Sequence, residues 1–235
     1  MRQNLVLARQ IRYLVEEVQR VFTGIIEHIG TIEELSLDGS GGRLTVRASS
    51  LASSLKISGS VAVNGCCLTV VSCDKSSFSA DLSAETLNKT TFSFLKKGGR
   101  VNLEQPLTAG KEFGGHFVLG HVDGTGIVSS LEPEGDGWRF SVQVPPEIAK
   151  YVVSKGSITL DGVSLTVARW ENHVAEIAVI PFTYEHTNIR DRKPGDVVNL
   201  ECDVLGKYVE RYLQSRSSSS AGDSLTIEKL TLQGF

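Results

Sequence analysis

Two short stretches of the chain join a tight turn to a nucleophilic side chain. NGCCLT occupies 64–69 and DGVSLT occupies 161–166. Asn64-Gly65 and Asp161-Gly162 favour the positive-φ conformations of a two-residue hairpin turn. Cys67 and Ser164 hold the equivalent place, a thiol and a hydroxyl each followed by Leu-Thr. Either group can attack an electrophilic carbon, or line a ligand as a hydrogen-bonding wall. Gly65 and Gly162 for the turn, Leu68 and Leu165 for a core, and Thr69 and Thr166 for strand propensity need no functional explanation. The exchange of Cys67 for Ser164, and of Asn64 for Asp161, is not explained that way.

The other chemistry-bearing residues are sparse. His28, His116, His121, His173 and His186 lack tight metal-ligand spacing, although His116 and His121 share a Gly-rich segment. Cys66, Cys67, Cys73 and Cys202 form no C-x-x-C pair, so a zinc site is not expected. Adjacent cysteines make a poor disulfide framework, and a reducing compartment, the cytoplasm, is the natural reading. GSGGRL at 39–44 ends in Leu44 and so fails the dinucleotide fingerprint, and no P-loop, H-E-x-x-H or G-x-S-x-G is present. Asn88-Lys89-Thr90 is a glycosylation sequon, read as incidental without a secretory signal.

What must position these residues is a repeat. Ser60, Gly65, Leu68, Thr69 and Val70 recur 97 positions later as Ser157, Gly162, Leu165, Thr166 and Val167. The same offset of 97 carries Thr86 to Thr183, Thr90 to Thr187 and VNLE at 101–104 to VNLE at 198–201. Nearer the start the offset is 96, taking Gly24, Gly30 and Ile32 to Gly120, Gly126 and Val128. One indel over a whole half marks a tandem duplication. Each half reads as short alternating strands: Phe78, Ala80 and Leu82 on one face, and Trp138, Phe140, Val142 and Val144 on another. Pro145-Pro146 opens a short helix expected to run to about Val153 and to stop at Gly156. Around six strands and one small helix per half predict a closed barrel, which leaves no exposed edge.

Composition agrees and excludes other classes. The 235 residues carry 24 basic and 27 acidic side chains, a net charge of −3, so no basic nucleic-acid surface is expected. No apolar run approaches the ~20 residues of a membrane span. Ile11, Leu14, Val15 and Val18 fit a short amphipathic helix within 1–20, and Glu16-Glu17 count against a targeting signal. Lys207–Gln214 (KYVERYLQ), with Tyr208, Val209, Tyr212 and Leu213 apolar, is expected to be a helix that packs between subunits. Residues 215–222, SRSSSSAG, read as a flexible linker, followed by a brief terminal helix over 225–235.

FTGIIE (22–27), NGCCLTV (64–70), GGHFVLGHVDG (114–124), KGSITLDGVSLTV (155–167) and IPFTYEHT (180–187) together resemble riboflavin synthase of the α-subunit type. The resemblance spans about 22–213. It implies an all-β fold of two six-stranded Greek-key barrels, 21–115 and 116–204, and a homotrimer held largely by the helix at 205–214. It implies a cofactor-free, metal-free dismutation of two molecules of 6,7-dimethyl-8-ribityllumazine, with possible association with lumazine synthase. One molecule donates a four-carbon unit to the other. The products are riboflavin and 5-amino-6-ribitylamino-pyrimidinedione.

The resemblance also carries site residues. It gives the N-barrel pocket Gly24, Ile25 and Ile26, then Cys67, Leu68 and Thr69, then Asp81, Leu82, Ser83, Ala84, Glu85 and Thr86. It gives the C-barrel pocket Gly120, His121 and Val122, then Lys155, then Ser164, Leu165 and Thr166, then Ala178, Val179, Ile180, Pro181, Phe182 and Thr183. The polar candidates for chemistry are Cys67, Ser60, His121, Asp161, Ser164 and Asp203. Cys67 is either a nucleophile or a buried spectator thiol. His121 is either a base or a turn residue, and Ser60 suits a structural hydroxyl as well as a catalytic one. Phe182 and Tyr184 depart from the family pattern and are expected to narrow or restack the second pocket. Val21 stands where the family starts with Met, so residues 1–20 are expected to be an upstream extension. The rival readings are a non-catalytic lumazine or flavin binder of the same fold, and a flavin-reductase barrel, for which no nicotinamide domain is present.

Overall fold

The computed structural model describes residues 20–38 and 40–220, the last four as backbone alone. The helices expected within 1–20 and over 225–235 lie outside the described residues, apart from Arg20. The N-terminal half holds β1 (His28–Leu37), β2 (Gly41–Arg47), α1 (Ser49–Ala52), β3 (Ser60–Val63), β4 (Cys66–Cys73), β5 (Ser77–Ser83), α2 (Ala84–Lys89), a 3-10 turn (Thr91–Phe94) and β6 (Arg100–Glu104). The second half repeats the order with β7 (Gly124–Glu134), β8 (Gly137–Gln143), α3 (Pro146–Ala149), β9 (Ser157–Leu160), β10 (Val163–Glu171), β11 (Val174–Val179), α4 (Pro181–His186), a 3-10 turn (Asn188–Asp191) and β12 (Val197–Cys202). Helix α5 (Val204–Ser220) follows.

Each half closes into a six-stranded antiparallel barrel with the same strand order, β1-β2-β5-β4-β3-β6 and its counterpart β7-β8-β11-β10-β9-β12. Long bent strands are needed to close so small a barrel, and a register shift in β1, β4, β7 and β10 supplies the bend. The alternation read from sequence holds where it faces inward: Phe78, Ala80, Leu82, Phe140, Val142 and Val144 are all buried. Trp138 is the exception, since it lies at the core's edge and stacks on Tyr184 at 3.6 Å. Helix α3 is a single turn, shorter than expected, because its carbonyls already close turns at Tyr151 and Val152. Helix α5 runs on to Ser220, through the serines read as a linker. Serine is a middling helix former, and a helix already nucleated propagates through it. No helix among the described residues is long and apolar enough to cross a membrane.

The two hairpin turns read from sequence form as expected, with Asn64 and Gly65 at φ 44° and 77°, and Asp161 and Gly162 at 46° and 79°. They also meet each other. A Cβ on Gly65 would lie 2.7 Å from the Gly162 nitrogen, and one on Gly162 would lie 2.6 Å from the Gly65 nitrogen. The turns therefore pack back to back, and a polar network seals them. Asn199 Nδ2 donates to the Asn64 carbonyl (2.8 Å), and Asn102 Nδ2 donates to the Asp161 carbonyl (2.9 Å). Asn64 Oδ1 accepts from the Asn102 nitrogen, and Asp161 Oδ1 from the Asn199 nitrogen. Asn188 Nδ2 reaches both Asn64 Oδ1 and Asp161 Oδ2 at 3.2 Å.

The symmetry breaks at two points, and the first is Asn188, whose counterpart in the first half is Thr91. At the second, Asp161 Oδ2 also accepts from Arg192 Nη2 at 2.5 Å, and the carboxylate is almost wholly buried. The equivalent pair in the first half is Asn64 and Leu95. Arg192→Leu should therefore cost about 3–5 kcal/mol, because it strands a buried charge. The double change Asp161→Asn with Arg192→Leu copies the first half at these two positions and should recover most of that loss, as read by denaturant unfolding. Equal losses in the single and double variants would contradict this.

Candidate functional site

The chain before β1 and the chain joining the barrels run antiparallel, paired at Phe22 and Val118. Each then crosses to the other barrel. The Gly120 carbonyl accepts from the Cys67 nitrogen (2.9 Å), and the Gly24 carbonyl accepts from the Ser164 nitrogen (2.8 Å). Neither position admits a side chain: a Cβ on Gly120 would sit 2.5 Å from Cys67 Cβ, and one on Gly24 would sit 2.6 Å from Ser164 Cβ. The next residues follow suit, with Val122 packed on the first core and Ile26 on the second.

This reverses one grouping expected from sequence. Gly24, Ile25 and Ile26 belong beside Ser164, and Gly120, His121 and Val122 belong beside Cys67. A repeat shows which segments are equivalent but not which barrel each one packs against.

The Cys67 side is a cavity of 460 Å³. Cys67 from β4, His121 and Val122 from the crossing segment, and Ser83, Glu85 and Thr86 from the start of α2 line it. Ser83 is also the α2 cap, since its hydroxyl accepts from the Thr86 nitrogen at 3.0 Å. Cys66, Lys89 and Thr90 line it too, and sequence reasoning passed over them because the repeat drew attention to Cys67 alone. Other expected residues face elsewhere. The Leu68 and Leu82 side chains are in the core, Ala84 and Thr69 are exposed, and Asp81 pairs with Arg43 at 2.7 Å on the barrel's outside.

Burial pushes the Cys67 thiol pKa up, against a smaller opposing pull from the Ser60 hydroxyl bonded to it and from Arg20. The thiol is therefore protonated near neutral pH, which weakens it as a resting nucleophile. Ser60 is tied to the Cys67 pocket through this bond.

The Ser164 side is built the same way with different chemistry. Ser164 Oγ lies 2.8 Å from Nδ1 of His116, a buried imidazole whose pKa burial lowers. His116 was considered from sequence only as a weak metal ligand; the hydroxyl it touches is 48 residues away, which no local pattern signals. Positions equivalent to Glu85 and Lys89 are Phe182 and His186, which stack at 4.1 Å. Ile25, Ile180 and Phe182 are exposed, so this wall is aromatic and apolar where the other is ionic. Leu165 and Val179 are core residues, and Ala178, Pro181, Thr183 and Thr166 stand outside it.

Three expected polar residues sit apart from both Cys67 and Ser164. Asp161 is in the inter-barrel seam, held by Arg192, Asn188 and the Asn199 nitrogen, where no ligand reaches it. Asp203 caps α5 by accepting from the Leu205 nitrogen (3.0 Å) and lines a 960 Å³ apolar cleft beneath that helix. Lys155 is exposed at φ 66°, beside Val153 and Gly156 of the same cleft. Among the described residues no three His, Cys, Asp or Glu side chains converge as metal ligands do.

Paired closed barrels with crossed connecting segments and unlike residues at equivalent places define a duplicated two-barrel protein. Residues 23–106 and 119–203 each match the Lumazine binding domain family. Riboflavin synthase of Bacillus subtilis is 39% identical over 92% of this chain and 100% of its own length. That of Actinobacillus pleuropneumoniae is 37% identical with the same coverage, 92% and 100%. A solved structure of LumP complexed with riboflavin covers 77% of this chain and 98% of its own, at 26% identity and a TM-score of 0.73. The chain belongs to the riboflavin synthase family.

A raised thiol pKa gives a direct check. Alkylation of Cys67 by iodoacetamide, followed by peptide mass, should rise with pH around a midpoint above the ~8.5 of a free thiol. A midpoint below that value would contradict the protonated resting thiol.

Proposed function

We propose that this chain is a riboflavin synthase. It is a transferase that moves a four-carbon unit between two molecules of 6,7-dimethyl-8-ribityllumazine, giving riboflavin and 5-amino-6-ribitylamino-pyrimidinedione. The observation that carries this reading is the pair of equivalent crossings, Gly120 onto Cys67 and Gly24 onto Ser164, set among unlike side chains. Two copies of one substrate need two similar pockets, and their opposite roles need the pockets to differ.

The lumazine 7-methyl group is acidic because its anion delocalises into the ring. A base removes that proton from the donor or acceptor, and a nucleophile adds at C7 of the other molecule. The rings join, and elimination releases the products. Holding the two reactants together supplies the largest effect, up to ~7–11 kcal/mol in favourable cases. His121 stands where it can move a proton in the Cys67 pocket, and His116, kept neutral by burial, orients the Ser164 hydroxyl.

The reactants meet when the Cys67 pocket of one subunit faces the Ser164 pocket of its neighbour. This needs the homotrimer, for which α5 offers Leu205, Tyr208, Val209 and Tyr212, all exposed, above an apolar cleft. Lys155 and Asp203, at that cleft, then serve a neighbour's ligand and not their own. The proposed location is the cytoplasm.

Incubation with the lumazine alone should produce riboflavin absorbance, whereas bound, unchanged lumazine would make the chain a binder. His121→Gln should lower kcat by about 10². Cys67→Ser and Ser164→Ala should lower kcat/KM by about tenfold each. Unchanged turnover in all three variants would overturn the site assignment. Leu205→Glu with Val209→Glu should convert the trimer to a monomer in light scattering.

A further inference from the structure

Two buried carboxylates lie outside the chemistry described so far. Glu201 is the penultimate residue of β12 and is 2% exposed. It accepts from the Leu119 nitrogen (2.7 Å) on Oε1 and from the Gly120 nitrogen (3.1 Å) on Oε2. Its counterpart Glu104, at the end of β6, accepts from the Thr23 nitrogen (2.7 Å) and the Gly24 nitrogen (3.0 Å). The carbonyl of Gly120 is the one that receives the Cys67 nitrogen, and His121 and Val122 come next along the chain. A carboxylate of the second barrel thus fixes the wall of the pocket in the first.

We infer that Glu201 is a positioning residue: its ionised carboxylate clamps the 119–120 backbone so that His121 and Val122 form the wall facing Cys67. Both oxygens must accept for the clamp to hold both N–H groups. A protonated carboxyl turns one oxygen into a donor that faces an N–H, and half the clamp is lost. Burial pushes the Glu201 carboxyl up to about 7, with the backbone donors pulling it down. The charged and titratable groups around it are Lys207 from α5, Asp123 from the crossing segment, Cys202 on β12, and Cys66 and Cys67 on β4. The wall is therefore ordered above about pH 7 and released below it.

The stability linkage runs the other way. The folded carboxyl titrates above its unfolded value of ~4.3, so its contribution is full below that value and fades as pH rises through the folded one. Pocket order and fold stability therefore change in opposite directions over this window, which separates positioning from a merely structural role.

The activity part of the test rests on the riboflavin synthase reading; the structural part does not. In the full chain labelled with 15N-glycine, the Gly120 amide resonance should titrate with a midpoint near 7. Glu201→Gln should abolish that titration, Glu104→Gln should leave it in place, and Lys207→Met should move the midpoint upward. With lumazine, kcat/KM should fall about tenfold per unit below pH 7. Glu201→Gln should remove this acid limb and hold the low value across the range. A Gly120 resonance that does not move with pH, or an acid limb retained in Glu201→Gln, would overturn the inference. A titrating Gly120 with no riboflavin at any pH would support the clamp and count against the enzyme reading instead.

Discussion

A closed barrel has no free strand edge, so two of them cannot join by extending a sheet. These two join through turns and crossing segments, and the close approach of Gly65 to Gly162 sets the geometry of everything else. Side chains are excluded there, backbone polar groups are buried, and each needs a partner. Asn102 and Asn199 reach across to the opposite turn's carbonyl, and Asn188 spans Asn64 and Asp161. The buried amides therefore act as mutual keys, and a shift at one turn would unmake bonds at the other.

The same junction makes the two sites shared property. Because the chain crosses at Phe22 and Val118, Cys67 and Ser164 each sit on the strand of one barrel beside a backbone segment held by a glutamate of the other. Duplication supplied one frame twice, and a few replacements made the copies unlike. Where one half has Cys67 the other has Ser164 with His116 behind it, and where one has the ionic rim of Glu85 and Lys89 the other has the stacked Phe182 and His186. A reaction between two identical molecules in opposite roles asks for this combination of likeness and difference.

Much of this was legible in the residues. The spacing of the repeat, the Asn-Gly and Asp-Gly turns and the alternating strands lead to two barrels, because each signal is local or survives duplication. The crossing was not legible, since Gly24 and Gly120 look alike whichever barrel they face. Asp161 stood out as a polar residue beside a turn, but its meaning came from Arg192, 31 positions away. Glu104 and Glu201 were visible only as the end of a repeated VNLE, and burial against backbone donors gave them a role. The serines after Gln214 suggested a linker by composition, while the helix they continue is set by its earlier turns.

The claim on which the account turns is that one chain carries two unequal ligand sites. Calorimetric titration of the protein with a non-reacting lumazine analogue measures this directly. The account predicts two ligand molecules per chain with distinguishable affinities, and Ser164→Ala perturbing one of the two steps. A single site per chain, or two indistinguishable ones both altered by Ser164→Ala, would contradict it.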